Sequence, residues 1–163
     1  MNNATKQTQR RRLSTIAATT LIATTVATTT TQATVFYGYS IGGRIEEAFH
    51  RLGGVKHFGN ATTAESVAAN NGRFQHFRNN ASIYWHANVD RGIAHAVEGR
   101  IRDKWSSLGW ERSLLGYPIT DEITTPDKVG RFNHFQGGSI YWSPNTDAHQ
   151  IGGAIKDKWA AQG

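Results

Sequence analysis

The sequence predicts an α+β fold built by tandem repetition of a helix–turn–β-hairpin unit. Three recurrences predict it. "GRFQHFRNNASIYW" (72–85) returns as "GRFNHFQGGSIYW" (130–142), with one residue more in the first copy. "IGGRIEEAFHRLG" (41–53) returns as "VEGRIRDKWSSLG" (97–109) and again as "IGGAIKDKWAAQG" (151–163). "FGNATTAE" (58–65) returns as "LGYPITDE" (115–122). The period is 54–58 residues, which sets units at 41–96 and 97–150 and a partial unit at 151–163. A unit this small cannot bury its apolar face alone and has to pack on its neighbour.

Residues 1–33 precede the repeats and read as an export signal. Lys6, Arg10, Arg11 and Arg12 supply the positive end, residues 13–27 a modest apolar stretch diluted by threonine, and Thr31-Gln32-Ala33 a small-residue cleavage site. The stretch is too weakly apolar for a membrane anchor. Residues 34–163 then form the repeat domain of a secreted chain. All four of the segment's charged residues are basic, so the remainder carries fourteen Lys and Arg against twelve Asp and Glu, a net +2 instead of +6. The basicity belongs mostly to targeting, and no RNP-like, helix-turn-helix or zinc-finger pattern points to nucleic acid. With no cysteine, neither disulfides nor thiolate metal sites are available.

The opening element of each unit has apolar residues at i, i+4, i+8 and i+11: Ile41, Ile45, Phe49, Leu52, then Val97, Ile101, Trp105, Leu108. Ile151, Ile155 and Trp159 repeat the spacing. This is the stripe of an amphipathic helix that buries an aromatic ring in its third turn. Gly53 and Gly109 stand where a C′ glycine ends a helix.

The second element reads as a hairpin. Gly137-Gly138 is a two-residue turn signal, both glycines accepting positive φ, and would pair Phe135 with Ile140. One face then carries Asn133, Phe135, Ile140 and Trp142; the other carries Phe132, His134 and Tyr141. Both faces are rich in rings, so the hairpin is either sandwiched or offers one aromatic face to a ligand.

Leu115-Gly116-Tyr117-Pro118, with "DKWSSLG", "TDE", "GRFNHFQGGSIYW" and "GGAIKDKW", resembles the LGFP repeat family over residues 41–163. The first unit departs from the pattern: Phe58-Gly59-Asn60-Ala61 lacks the proline, so a rebuilt turn is expected there. The resemblance implies an exported, cell-wall-associated protein of mycolic-acid-bearing actinobacteria. It also implies attachment to arabinogalactan or peptidoglycan, and units arranged radially as a partial propeller-like array.

For catalysis, His134, Ser139 and Asp121 could be drawn into a triad, but no nucleophile elbow surrounds Ser139 and no carboxylate pair has glycosidase spacing. His76, His134, His95 and His149 lack any HxxxH-type pair, so no metal site is expected. The expectation is a protein that is not an enzyme and uses no cofactor. Carbohydrate binding has a physical rationale, because sugar C–H faces pack on aromatic planes while polar side chains bond the hydroxyls. Tyr84, Trp85, Tyr141 and Trp142 are the candidate platforms. His76, His134, Arg73, Arg131, Asn133 and Gln75 are the candidate polar partners. Adjacent strand residues point to opposite faces, so either the Tyr or the Trp of each pair serves, not both. Two weak sites on one chain would gain avidity on a polymer. The alternative expectation is an interaction module whose apolar edge pairs with itself or with another wall repeat protein.

Overall fold

A computed structural model describes residues 34–36 and 38–152. The expected export signal of residues 1–33 and the positions Ile155 and Trp159 lie outside the described residues. β1 (Thr34–Phe36) and β2 (Tyr39–Ile41) form an antiparallel pair. Helices α1 (Gly43–Arg51) and α2 (Gly54–Phe58) follow. The first sheet is β3 (Ser66–Val67), β4 (Arg73–Phe77), β5 (Ala81–Trp85) and β6 (His95–Glu98). Helix α3 (Gly99–Ser107) leads to the second sheet, β7 (Ile123–Thr124), β8 (Arg131–Phe135), β9 (Gly138–Ser143) and β10 (Asp147–Gly152). Each sheet is an antiparallel meander in chain order. The described strands thus give an α+β fold with two open four-stranded sheets rather than a closed propeller.

The helices start later than the apolar spacing suggests. Ile41, Val97 and Ile151 end strands β2, β6 and β10, where they pair with Thr34, Ser82 and Ser139. The ladder gives those backbone groups partners that the first turn of a helix lacks. Ile41 and Val97 still reach the core, both at 0% exposure, but from a strand end. From Ile45 and Ile101 onward the stripe holds: Ile45, Phe49, Ile101 and Trp105 are buried. Gly53 (φ 110°) and Gly109 (φ 101°) end the helices in the left-handed region, as the pattern predicts.

The hairpin keeps its predicted faces and loses its predicted register. Phe135 pairs with Gly138, His134 with Ser139, Asn133 with Ile140 and Arg131 with Trp142. The two-residue loop is therefore Gln136-Gly137, and every pair shifts by two positions. A shift of two returns each side chain to its own face. The glycines serve close approach instead of positive φ. A Cβ on Gly137 would stand 2.0 Å from the Leu114 carbonyl oxygen, and one on Gly138 2.5 Å from that of Ile151. In the first sheet the extra residue sits in the loop, Arg78-Asn79-Asn80, with Asn80 left-handed at φ 51°. That is the three-residue hairpin solution.

The turn before each hairpin is not rebuilt where proline is missing. Ala61 bridges Phe77 as Pro118 bridges Phe135. The amides of Arg78 and Asn79 donate to the carbonyls of Asn60 and Phe58, as those of Gln136 and Gly137 donate to Tyr117 and Leu115. Gly59 (φ 69°) and Gly116 (φ 66°) set the same bend, so the glycine governs this turn.

Two cores result. Ile45 and Phe49 of α1 pack on Phe77 and Ile83 of the first sheet. Trp105 of α3 lies between the sheets, its ring 4.6 Å from Tyr84 of β5 and 5.2 Å from Phe135 of β8. The first sheet is thus covered on both faces.

Candidate functional site

Each sheet forms the same open pocket beside the start of its helix. The first is lined by Gly43, Arg44, Ile45, Glu65, Arg73 and Trp85 and measures about 260 Å³. The second is lined by Gly99, Arg100, Ile101, Glu122, Arg131 and Trp142 and measures about 300 Å³. The linings correspond residue for residue along the repeat.

Strand pairing builds these pockets. Arg73 lies across from Trp85 and Arg131 from Trp142, so indole and guanidinium share the face that the helix covers. The helix lies over Ile83 or Ile140 and leaves the strand end beyond it open. Glu65 and Glu122 arrive from the residue before β3 or β7. The Arg–Glu separation is 3.5 Å in both copies, with Arg Nε facing Glu Oε1. Each guanidinium is steered by the carbonyl before it: Arg73 Nη1 donates to Gly72 at 3.0 Å and Arg131 Nη1 to Gly130 at 2.9 Å. Gly72 and Gly130 are needed because the carbonyl oxygens of Trp85 and Trp142 approach within 2.7 and 2.8 Å of where a Cβ would be. The first indole is fixed by Nε1 donating to the Gly92 carbonyl at 2.9 Å. Both indoles are half-buried. Burial, helped by the nearby Glu98 and opposed by Arg131 and His57, pushes the Glu122 carboxyl above its ordinary value.

Of the residues expected to bind a ligand, Trp85, Trp142, Arg73 and Arg131 come together in the pockets. The others lie outside these pockets. Tyr84 is 3% exposed, packed between Phe74, Trp105, Trp110 and Tyr117, and burial drives its hydroxyl far above the usual range. It is closed to a ligand. Asn133 is completely buried, and its amide nitrogen donates to the carbonyls of Ala96 and Thr120. Gln75 does the same with Ser40 and Thr63. These amides tie the strand entering each helix to the turn before the hairpin, so they are structural. Tyr141 stacks on Phe132, 5.0 Å away, on the face opposite Trp142.

His76 and His134 hydrogen-bond Ser82 and Ser139 through Nδ1, at 2.6 Å in both sheets. Ser82 also receives Arg102 Nε at 2.6 Å. Burial and the Arg102 charge lower the His76 pKa. Both serines are buried, at 0% and 3% exposure, which withdraws the hydroxyls from any substrate. His95 is held between Asp90 (2.8 Å) and Asp121 (3.3 Å), while His149 stands exposed. Among the described residues no group of three His, Cys, Asp or Glu side chains could hold a metal ion.

Sequence reasoning missed Glu65 and Glu122, along with the contribution of Arg44 and Arg100. The signal was present, because Glu is the last residue of the recurring "FGNATTAE" and "LGYPITDE".

The LGFP repeat family model matches residues 58–113 and 115–163, starting each match at the turn rather than at the helix. No curated protein matches the chain.

Proposed function

The chain belongs to the LGFP repeat family, and from that premise we propose that it is a secreted, non-catalytic module of the cell wall that binds envelope polysaccharide, arabinogalactan or peptidoglycan. The family is associated with cell-surface proteins. Among the described residues no helix is long and apolar enough to cross a membrane. In this reading each helix–turn–sheet segment is one repeat of an array, blade-like where the array is long.

One observation carries the proposal: the same pocket occurs twice. Each copy joins a half-buried indole to an Arg–Glu pair at an identical 3.5 Å. A core needs no such open, polar-lined repetition, whereas a polymer of repeating sugars rewards it through avidity. The indole offers a plane for a sugar's C–H face and the ion pair offers hydroxyl partners.

The test is retention on purified wall polysaccharide. Trp85→Ala and Trp142→Ala should each weaken retention, and the double variant should abolish it while far-ultraviolet circular dichroism stays unchanged. Equal retention on any anionic matrix would sink the glycan reading. Turnover of wall substrate would overturn the non-catalytic one.

A second reading has its own observation. Leu114 is fully exposed beside a groove of about 760 Å³ that includes Leu108, Leu115 and Ile151. Such a surface suits another copy of the chain or another wall repeat protein. A concentration-dependent dimer, lost in Leu114→Ser, with no polymer retention, would favour it.

A further inference from the structure

Two carboxylates, Glu65 exposed and Glu122 half-buried, stand in these pockets with no protein group among the described residues donating to them. Side-chain exposure is 38% for Glu65 and 27% for Glu122. Among the described residues their only charged neighbours within ion-pair distance, Arg73 and Arg131, stay 3.5 Å away, well beyond the ~2.7–2.9 Å of a charge-assisted hydrogen bond. Among the described residues neither carboxylate accepts a hydrogen bond. At Glu122, where burial disfavours the charge, a carboxylate without protein donors is costly. The repeat places Glu65 in the same way, so both pockets hold carboxylate oxygens open to a ligand.

We propose that each pocket takes one neutral saccharide ring by a pair of adjacent free hydroxyls, clamped on the Glu–Arg pair, with the ring's apolar face against the indole. This rests on the glycan-binding reading and names its ligand class and its reading residues, Glu65 and Glu122. The two oxygens of a carboxylate accept from two neighbouring O–H groups at once, and a hydroxyl oxygen accepts in turn from Arg Nε. Arg Nη1 is already engaged by the Gly72 or Gly130 carbonyl, which leaves the Nε–Nη2 edge, with Nε facing the carboxylate, to donate. Trp85 is locked by its bond to Gly92, so little ordering is needed on binding. At about 260 and 300 Å³ each pocket lies at or below the lower end of the ~300–1,000 Å³ typical of drug-sized ligands, which suits one ring rather than several.

The clamp also excludes. A sugar carboxylate placed on the Glu oxygens would meet like charge, so that position reads hydroxyls and not an acid group. An O-alkylated position has no proton to give, and an acetamido group must bring an acetyl into a one-ring space. A site built to bond hydroxyls discriminates strongly against analogues that lack them, because its own polar groups are left unpaired.

The experiment is a nuclear magnetic resonance titration of the full chain with ¹⁵N-labelled tryptophan. The probes are a neutral galactan oligosaccharide with free adjacent hydroxyls and a chitin oligosaccharide of equal length. Galactan should shift the indole signals of both Trp85 and Trp142, and chitin neither. Glu65→Gln should weaken the Trp85 response about tenfold or more and spare Trp142; Glu122→Gln should do the converse. The spared pocket in each variant reports that the chain is folded. Chitin binding as tightly as galactan, or indifference to both Gln substitutions, overturns the diol clamp and leaves the glycan reading standing. Silence with both sugars, together with no retention on wall polymer, overturns both.

Discussion

The two sheets are built alike and differ in what lies on the face turned away from their own helix. On the first, Phe74 stacks on Tyr84 at 5.1 Å and His76 bonds Ser82 at 2.6 Å. On the second, Phe132 stacks on Tyr141 at 5.0 Å and His134 bonds Ser139 at 2.6 Å. The internal arrangement is the same. Over the first face, however, lie Trp105, Trp110 and Arg102 from the following segment, and Tyr84 falls to 3% exposure while Tyr141 remains half-buried. The face is therefore a property of the hairpin, and its covering is a property of the neighbour. That separates what one repeat makes from what two repeats make.

Trp105 tests this separation most severely. It is fully buried and touches rings of both sheets, so Trp105→Ala should cost about 3–5 kcal/mol in urea unfolding. Because the ring is shared, amide protection should fall in β5 and in β8 together. Phe49→Ala should also cost about 3 kcal/mol or more, since Phe49 stacks on Phe58 and Phe77. Its losses should begin in the first sheet. Equal, uniform losses from both variants would contradict the picture of two cores.

Asp121 comes next. It has no counterpart in the first half, where Ala64 stands. Its carboxylate accepts from Arg51, from His95 and from the Ala96 amide, joining the turn of the second half to the first sheet. Burial disfavours its charge, but the hydrogen bonds from His95, Arg51 and Ala96 prevail and hold its pKa near 2 instead of 3.8. Asp121→Asn should therefore cost about 2 kcal/mol at pH 5 by chemical denaturation. For pH, the lowered Asp121 contributes in full above the ordinary carboxylate range and loses its contribution as pH falls through about 2. For His95, burial is outweighed by Asp121 and Asp90, so its pKa is raised and its contribution is lost as pH rises above 6.5. Both contributions are present between about pH 4 and 6.5, where the melting temperature should peak. His95→Gln should remove the decline on the alkaline side of that peak.

The smallest expected effect sharpens the comparison of the turns. The Ala61 bridge matches that of Pro118, so Ala61→Pro should fit and should stabilise by about 0.4–1 kcal/mol through the unfolded chain. A loss of stability would mean that the two turns differ at this residue in spite of their shared hydrogen bonds.

Much of the molecule was legible in the sequence. The helical stripe from Ile45 and Ile101, the C′ glycines and the division of the hairpin into two faces follow from periodicities of 3.6 and 2. The hairpin register was not legible, because Gly137-Gly138 satisfies two kinds of demand. A turn and a close approach both call for glycine, and only the Leu114 and Ile151 carbonyls show that approach is the reason. The strand ends at Ile41, Val97 and Ile151 were hidden for a similar cause, since an apolar residue four places before the next fits a helix and also fits a strand running into one. In the first sheet, that Tyr84 is enclosed while Trp85 stays half-buried depended on the next segment covering one hairpin face.

The sequence by itself determined that this chain repeats, where the stripes of α1 and α3 and the two central hairpins fall, which hairpin side chains share a face, and the family to which it belongs. These are consequences of local geometry, written within a few residues of where they act. The tertiary structure alone decided that Tyr84 and Asn133 are structural and that Trp85, Arg73 and Glu65 meet, as Trp142, Arg131 and Glu122 do. Those residues come from a strand, its partner strand and a separate turn. Only packing the helix against one end of the sheet leaves the other end open, and that packing depends on volumes and contacts that no single stretch of sequence contains.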